Sequence, residues 1–321
     1  MRVLVTGADG FAGSWLVRTL LAGGHHVTGT VLSLDGSARG GLTPDESAAV
    51  DWRQLQFGDT ESVRAALAPE RGGWEAIVHL AAIASSRLAG EDPGQTWNVN
   101  AAGTVRLLEA IARLIEGGLA DPRLLLVSTA EVYGRGEGAR PRVETDPLAP
   151  LSVYASSKLA AEVAVQETVR RTGLRAMIAR AFPHTGPGQQ DIYVAPIFLG
   201  KLRAAVARGE DTVETGTLET IRDFLDVRDV AAAYLALLER GQDGETYNVA
   251  SGQGQTLQEM FDILARVVGG TVRPVPVASQ MRAWDLPHLV GDATKLREAT
   301  GWSPRYSFEQ TLTDLAHAEA H

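Results

Sequence analysis

Residues 2–13 read RVLVTGADGFAG, a short apolar run that leads directly into three regularly spaced glycines. The run predicts a buried strand, and the periodicity of residues 11–22 predicts a helix immediately after the turn. Of Gly7, Gly10 and Gly13, one would permit the tight bend, one would let the backbone approach a pyrophosphate, and one would allow the helix to pack closely on the strand. The helix N-terminus adds N–H donors and a positive dipole end, so the stretch predicts a dinucleotide site.

The same alternation of apolar runs and helical segments continues along the chain. Further strands are predicted at 25–31, 52–57, 75–81, 123–129 and 175–181. Helices are predicted between them at 60–68, 97–115 and 153–171. Strands this uniformly apolar are covered on both faces, which indicates a parallel sheet between two layers of helices. We therefore predict an α/β fold with a doubly wound, Rossmann-type parallel sheet.

The regular alternation breaks after about residue 180, where Pro/Gly-rich loops such as RAFPHTGPGQ appear. We interpret 1–180 as a dinucleotide-binding domain, with 224–252 returning to it. The remaining segments, 181–223 and 253–321, predict a smaller C-terminal substrate lobe that is interleaved with the first domain in sequence.

Composition narrows the class of protein. The chain has 321 residues, 45% of them hydrophobic, and a net charge of −9 without a basic stripe, which argues against a nucleic-acid partner. With no cysteine, disulfides and thiolate metal sites are excluded, and we predict no metal site. The N-terminus does not resemble a signal peptide, and no apolar run approaches the roughly 18 residues of a membrane span. A cytoplasmic protein without membrane contact is the default expectation.

A second stretch, residues 150–162 (PLSVYASSKLAAE), places Tyr154 and Lys158 four residues apart. That spacing puts both side chains on one helix face, which favours an ordinary amphipathic turn as readily as a proton-transfer pair. The pair by itself does not decide between these interpretations.

The identity of the dinucleotide depends on the end of the second strand, which reads TGTVLSLDG. NAD sites usually present an acid here, but Val31 occupies the expected position and Asp35 comes late. With Ser33 and Arg39 nearby, the sequence favours NADP, with NAD possible. Asp59 in the FGD triplet is predicted to meet the adenine edge.

The ordered set TGADGFAG, FGD, HLAA, NVNAAGTVRLLEA, STAEVYG and YASSK resembles the extended short-chain dehydrogenases/reductases that act on nucleotide sugars. The resemblance covers nearly the whole chain. Later segments, including RDFLDVRDVAAAY and RAWDLPHLVGDATKLREATGW, are most similar to GDP-4-keto-6-deoxy-D-mannose reductases and GDP-mannose 4,6-dehydratases.

This resemblance implies roles for particular residues. Tyr154 would be the general acid/base, Lys158 its helper, and Thr129 a hydrogen-bonding partner of the reacting oxygen. We expect the lysine ammonium and an oxidised nicotinamide to lower the pKa of the tyrosine from its usual value of about 10. The implied cofactor contacts are Gly7, Gly10, Phe11, Gly13, Asp59, Leu80, Ala81, Ala82, Asn100, Tyr154 and Lys158.

On the substrate side, the resemblance assigns Arg222 and Arg282 to a pyrophosphate, which suits the geometry of guanidinium groups. Ser85 could meet the sugar, with Asp285 as a further candidate. The family loop usually reads R-P-x-N, but this chain has Ala181 and Pro183 at the proline and asparagine positions, so a substrate contact is lost or moves to His184.

We expect the partner to be a nucleotide-diphosphate sugar, and the reaction to be reduction of a 4-keto-6-deoxyhexose of the GDP-D-rhamnose type. A 4,6-dehydratase that uses Glu131 as its base, a 4-epimerase and a non-catalytic redox sensor remain alternatives. The resemblance also suggests a homodimer formed through helices 97–115 and 153–171.

Overall fold

The computed structural model describes residues 1–35, 40–69, 73–136, 138–280 and 286–318. Its strands are β1 (Arg2–Thr6), β2 (His26–Val31), β3 (Val50–Gln54), β4 (Ala76–His79), β5 (Arg123–Thr129), β6 (Ala176–Ala181), β7 (His184–Thr185), β8 (Thr212–Thr215), β9 (Ile221–Asp223), β10 (Leu225–Asp226), β11 (Thr246–Val249), β12 (Gly254–Thr256), β13 (Arg273–Pro276) and β14 (His288–Leu289). Its α-helices are α1 (Phe11–Ala22), α2 (Pro44–Ala48), α3 (Thr60–Leu67), α4 (Ser86–Glu91), α5 (Pro93–Trp97), α6 (Gly103–Glu116), α7 (Val153–Thr172), α8 (Val194–Arg208), α9 (Val227–Arg240), α10 (Leu257–Val268), α11 (Thr294–Thr300) and α12 (Phe308–His317).

Seven strands form one sheet in the order β11-β6-β5-β4-β1-β2-β3, and every neighbouring pair is parallel. This confirms the predicted doubly wound fold. The strand order reverses between β1 and β4, and ligands of such sheets bind beyond the carboxyl ends of the strands at that point. The glycine turn follows β1 and the HLAA segment follows β4, so both lie at this crevice.

Apolar side chains cover both faces of the sheet, as continuous hydrophobic strands require. One buried cluster joins the sheet to residues of α1, α9 and α11, and another joins it to residues of α3, α6 and α7. A third cluster is built by α8, α10 and α12 with nearby loop residues, away from the sheet. The division of the chain into two domains stays a prediction, but this third cluster supports it.

The C-terminal half returns to the sheet by one strand. β11 pairs with β6 at the edge, and α9 packs against α1. The preceding segment Ile221–Asp223 pairs with β12 and β14 in a small separate sheet.

Two predicted elements differ from the structure. The third strand was predicted at 52–57 but spans Val50–Gln54, because Leu55 and Phe57 turn into the core beneath α3 and α6. The predicted helix 97–115 is interrupted by a π-helical segment, Asn98–Ala102. There the buried Asn100 side chain bonds Ile83 and Ser157 instead of facing solvent.

No helix among the described residues is long and apolar enough to cross a membrane.

Candidate active site

The three glycines of the first turn differ in the space around each Cα atom. Gly7 has a φ of 69°, and a Cβ there would lie 2.9 Å from the Cα of Ala81. At Gly13 a Cβ would lie 2.1 Å from the carbonyl oxygen of Gly7. A Cβ at Gly10 would meet only that same oxygen, at 3.2 Å. The fold therefore needs the first and third glycines, whereas the second leaves space above the backbone.

The N-terminus of α1 fits a bound anion. Within the described residues, no side chain caps this helix and no acid lies in its first turn. Its first N–H groups and dipole end are therefore available to a phosphate. This arrangement, together with the space at Gly10, fits the pyrophosphate of a dinucleotide.

A buried histidine ties the two halves of the crevice together. His79, at the end of β4, contacts Thr6 through Nδ1 (2.8 Å) and Thr104 through Nε2 (3.1 Å). Thr104 donates its own proton to the Asn100 carbonyl (2.6 Å), so it accepts from Nε2 and Thr6 donates to Nδ1. Thr6 in turn accepts the N–H of Ala81 (3.2 Å). Burial, with Lys158 nearby, lowers the pKa of His79 to about 3, so the ring is neutral.

Asn100 supports this loop from the other side. Its side-chain oxygen accepts the N–H of Ile83 (2.9 Å), and its amide donates to the Ile83 carbonyl (3.2 Å) and the Ser157 hydroxyl (3.0 Å). The predicted cofactor residues Leu80, Ala81 and Ala82 thus lie in a loop fixed to α7. Direct contact of Asn100 with a cofactor stays a prediction.

The catalytic candidates meet at the carboxyl edge of β5. Thr129 ends this strand, and Tyr154 lies in the first turn of α7, which Ser152 caps by accepting the N–H of Ala155 (3.0 Å). Thr129 lies close enough to the Tyr154 phenol to affect its pKa. Lys158 lies one turn further along α7 with only 2% of its surface exposed. The structure therefore brings the three residues together.

In the chain alone, the pKa of Tyr154 is raised rather than lowered, and the lowering expected beside an oxidised nicotinamide stays a prediction. Burial raises the pKa of Tyr154 above its usual value, and the nearby Glu131 and Tyr193 add to this, while the Thr129 hydrogen bond opposes it. Burial also lowers the pKa of Lys158 to about 8, opposed by Glu162. Desolvation is therefore the largest influence on both groups.

Glu131 borders the same site. It is half-buried and accepts hydrogen bonds from Ser86 (3.1 Å) and Ser152 (3.3 Å). The predicted sugar contact, Ser85, instead caps α4 by accepting the N–H of Leu88 (3.5 Å), and a role toward substrate stays a prediction.

Sequence reasoning missed Ser86, Ser152 and Tyr193 as neighbours of the catalytic group. Ser86 directly follows the predicted Ser85, and Ser152 stands two residues before Tyr154, so position along the chain could have indicated both. Tyr193 comes from a distant loop and had no signal.

The substrate-side candidates are spread over two places. The His184 ring stacks on Phe11 of the glycine turn, with centroids 6.0 Å apart, and its Nδ1 contacts the Phe182 carbonyl (3.0 Å). Pro183 uses its carbonyl to accept the N–H of Leu225 (2.9 Å). His184 therefore lies beside the glycine turn, and its role toward a substrate stays a prediction.

A positive cluster lies in the smaller sheet. Arg222 is half-buried on β9, and His288 on β14 has its pKa lowered by burial and by the neighbouring Arg142 and Arg222. Arg282 and Asp285 fall outside the described residues, as does Arg39. At the end of β2, Val31 is buried and Leu32 is exposed, and the Asp35 N–H donates to Ser33 (3.2 Å).

Short-chain dehydrogenases/reductases are the class of protein that this fold and this site define. A family model described as GDP-mannose 4,6 dehydratase matches residues 4–315. The chain therefore belongs to that family of nucleotide-sugar-modifying enzymes, which confirms the resemblance seen in the sequence.

Individual relatives span the whole chain. A GDP-6-deoxy-D-mannose reductase of Pseudomonas aeruginosa is 33% identical, over 97% of this chain and 94% of its own length. The structure of RMD from Pseudomonas aeruginosa with NADPH is 30% identical and has a TM-score of 0.80, covering 98% of both chains. The UDP-glucose 4-epimerase of Thermus thermophilus with NAD is also 30% identical, with a TM-score of 0.84 and the same coverage of both chains.

Proposed function

We propose that the protein reduces the 4-keto group of GDP-4-keto-6-deoxy-D-mannose to give GDP-D-rhamnose, with NADPH as its cofactor and NADH as a possible substitute. The observation that carries this proposal is the grouping of Thr129, Tyr154 and Lys158 at the carboxyl edge of β5, in a chain 33% identical over 97% of its length to a GDP-6-deoxy-D-mannose reductase. A reductase needs this phenol protonated at the start, because it must give a proton to the carbonyl oxygen. A reaction that begins by oxidising a hydroxyl needs the phenolate instead.

Different residues of the chain donate the proton, orient the reacting oxygen and bind the two pyrophosphates in such a reduction. The bound dinucleotide supplies the hydride that C4 accepts. Tyr154 donates its proton to the carbonyl oxygen, and Thr129 orients that oxygen and shares its developing charge. Lys158 supplies positive charge below the phenolate that remains. Gly10 and the N-terminus of α1 would hold the pyrophosphate of the cofactor, and Arg222 that of the nucleotide sugar.

The relatives support the same substrate class, since they include a GDP-6-deoxy-D-mannose reductase and a structure with NADPH. Val31 stands at the end of β2, where an NAD site usually has an acid, and this supports NADPH over NADH. Exposed apolar residues on α6 and α7 support a homodimer through these helices, with Val105 42% and Val163 55% exposed.

Cofactor stoichiometry tests the proposal. Purified protein is mixed with NADPH and GDP-4-keto-6-deoxy-D-mannose while nicotinamide absorbance is followed. A reductase oxidises one NADPH per sugar reduced and releases the product cofactor. Sugar conversion without net NADPH consumption would instead indicate an epimerase or a dehydratase that recycles a tightly bound cofactor.

A GDP-mannose 4,6-dehydratase is the second candidate, because Glu131 is retained beside Tyr154 and could remove the C5 proton. We expect Glu131→Gln to lower ketone reduction less than about tenfold, since the carboxylate would only shape the pocket and raise the pKa of Tyr154. We also expect no 4-keto-6-deoxy product from GDP-mannose without added cofactor. Formation of that product, abolished by Glu131→Gln, would make the protein a dehydratase.

A further inference from the structure

Three ionisable side chains follow one another along the inner face of α7. Tyr154, Lys158 and Glu162 are spaced by four residues, so they lie on one side of the helix. Lys158 and Glu162 are 2% and 1% exposed. A buried lysine below the catalytic phenol is therefore followed, one turn away, by a buried carboxylate that the reaction itself does not use.

Glu162 is held from two strands of the sheet. Ser128 of β5 donates to its carboxylate (2.5 Å). Arg180 of β6 donates through Nη2 (2.8 Å) and Nε (3.2 Å), in a pair whose side chains are 4% and 1% exposed. Two strands thus fix the orientation of the carboxylate beneath Lys158.

The arginine is anchored in turn. Its Nη1 donates to the Tyr133 hydroxyl (3.0 Å) and to the Glu144 carbonyl (3.0 Å), and Tyr133 donates to Asn248 of β11 (2.7 Å). Arg180 is therefore held against Glu162, and the carboxylate of this ion pair lies one helical turn from Lys158.

The charges around Lys158 leave Glu162 as its counter-ion among the described residues. On α7, the ionisable neighbours of Lys158 are Tyr154 and Glu162. The nearby His79 of β4 is neutral, and Arg180 of β6 is paired with Glu162. Other charged groups of the elements packed on α7 face elsewhere: Glu131 accepts from Ser86 and Ser152, Arg106 of α6 donates to Phe57 and Asn98, and Arg87 and Glu91 of α4 are exposed.

We propose that Glu162 is a positioning residue for catalysis, the counter-ion that keeps Lys158 charged beneath Tyr154 and so sets the alkaline limit of activity. The expected effect on activity rests on the proposed reductase function. The charge of Lys158, in contrast, can be measured without any substrate. Burial lowers the pKa of Lys158 to about 8 even with Glu162 opposing it. Without the carboxylate, the ammonium would lose its proton at a still lower pH.

The test uses the small number of lysines. The chain has three, Lys158, Lys201 and Lys295, so NMR of isotope-labelled lysine side chains gives three signals. Lys158→Met identifies the signal of interest by its loss. We expect it to titrate near pH 8 in the unaltered protein and at least about one pH unit lower in Glu162→Gln. The alkaline limb of kcat/KM for ketone reduction should shift by the same amount, with activity recovered at lower pH.

Two control variants separate charge from structure. Ser128→Ala removes the Ser128 hydrogen bond to Glu162 but keeps the carboxylate, so the Lys158 midpoint should stay while the melting temperature falls. Glu167→Gln removes an exposed carboxylate of the same helix, which pairs with Arg171 at 2.6 Å, and should change neither the midpoint nor the pH profile.

An unchanged Lys158 midpoint in folded Glu162→Gln would overturn the proposal. If that variant does not fold, Glu162→Asp takes its place, since it keeps the charge with a shorter side chain. Its Lys158 signal should titrate within about half a pH unit of the unaltered protein, and a shift of a full unit or more would contradict a counter-ion role. Absence of turnover with the GDP sugar would count against the reductase function alone, because the NMR titration does not need the substrate.

Discussion

Tyr154 lies half-buried beside Thr129, Glu131 and Tyr193, and these neighbours decide its chemistry more than its position in the sequence does. Burial and the carboxylate favour the neutral phenol, while Thr129 opposes their effect on the pKa. In the proposed reaction, Lys158 one helical turn below would supply a positive charge to the phenolate that forms when the proton leaves. The environment thus prepares a proton donor.

The first prediction concerns that hydroxyl. Tyr154→Phe removes only one oxygen from a half-buried ring, so the fold and NADPH affinity should be retained. Turnover with the keto sugar should fall by roughly 10²–10⁴-fold, the usual scale for a lost acid/base group. Steady-state kinetics with a fluorescence titration of NADPH checks both parts. A variant that keeps more than about a tenth of the activity would show that another group delivers the proton.

At the scale of elements, the crevice is formed where β1, β4 and β5 end, and polar side chains connect the ends of β1 and β4 to α6. Thr6 joins the end of β1 to His79 of β4, and His79 reaches Thr104 of α6. Because Thr104 bonds back to Asn100 in the π-helical segment, the irregular turn is part of this connection. π-Turns inside helices are often found at functional sites, and here the turn directs Asn100 inward.

A pair of glycine variants tests the glycine turn. Gly10→Val should leave the fold intact, since Gly10 has an ordinary φ of −73° and space around its Cα, but it should weaken NADPH binding about tenfold or more by blocking the pyrophosphate. Gly13→Ala should instead lower the free energy of unfolding by about 1–3 kcal/mol, because its Cβ would lie 2.1 Å from the Gly7 carbonyl oxygen. Thermal melts and NADPH titrations separate the two effects. Unchanged NADPH affinity in Gly10→Val would remove the proposed role of this glycine.

For the whole molecule, the outer surface of α6 and α7 carries apolar side chains that the monomer does not cover. Val105, Ile115 and Val163 are 42%, 36% and 55% exposed on these two neighbouring helices. Two copies related by a two-fold axis would bury such residues against each other. The crevice lies at the carboxyl edge of the sheet, so pairing through these helices would leave the site open.

Introducing a charged side chain at the expected contact tests the homodimer prediction. Val163→Glu should convert the protein to a monomer, because a carboxylate buried at a symmetric contact meets its own copy. Val275→Glu is a matched control, since Val275 is also 42% exposed but lies on β13, away from these helices. Analytical ultracentrifugation measures the mass of each variant. A dimer that persists in Val163→Glu, or a monomer in the unaltered protein, would contradict the prediction.

The sequence by itself determined the features that depend on local pattern. Uniform apolar runs separated by helical periods specified the doubly wound sheet, and Gly7 followed by helix 11–22 specified the turn, because backbone conformation and burial period are local properties. The four-residue spacing of Tyr154 and Lys158 predicted that both side chains lie on one face of a helix. The family motifs then indicated Thr129 as a partner of the reacting oxygen, a role that stays a prediction.

Only the tertiary structure determined the pKa values and the hydrogen-bond partners of those groups. The raised pKa of Tyr154, the neutral state of His79 and the attachment of Glu162 to Arg180 come from desolvation and from partners brought together by strands far apart in the chain. The π-helical turn at Asn100 and the pairing of Ile221–Asp223 outside the main sheet follow from contacts with Ile83, Ser157, β12 and β14. Such effects depend on distance and burial in three dimensions, for which residue spacing along the chain carries no signal.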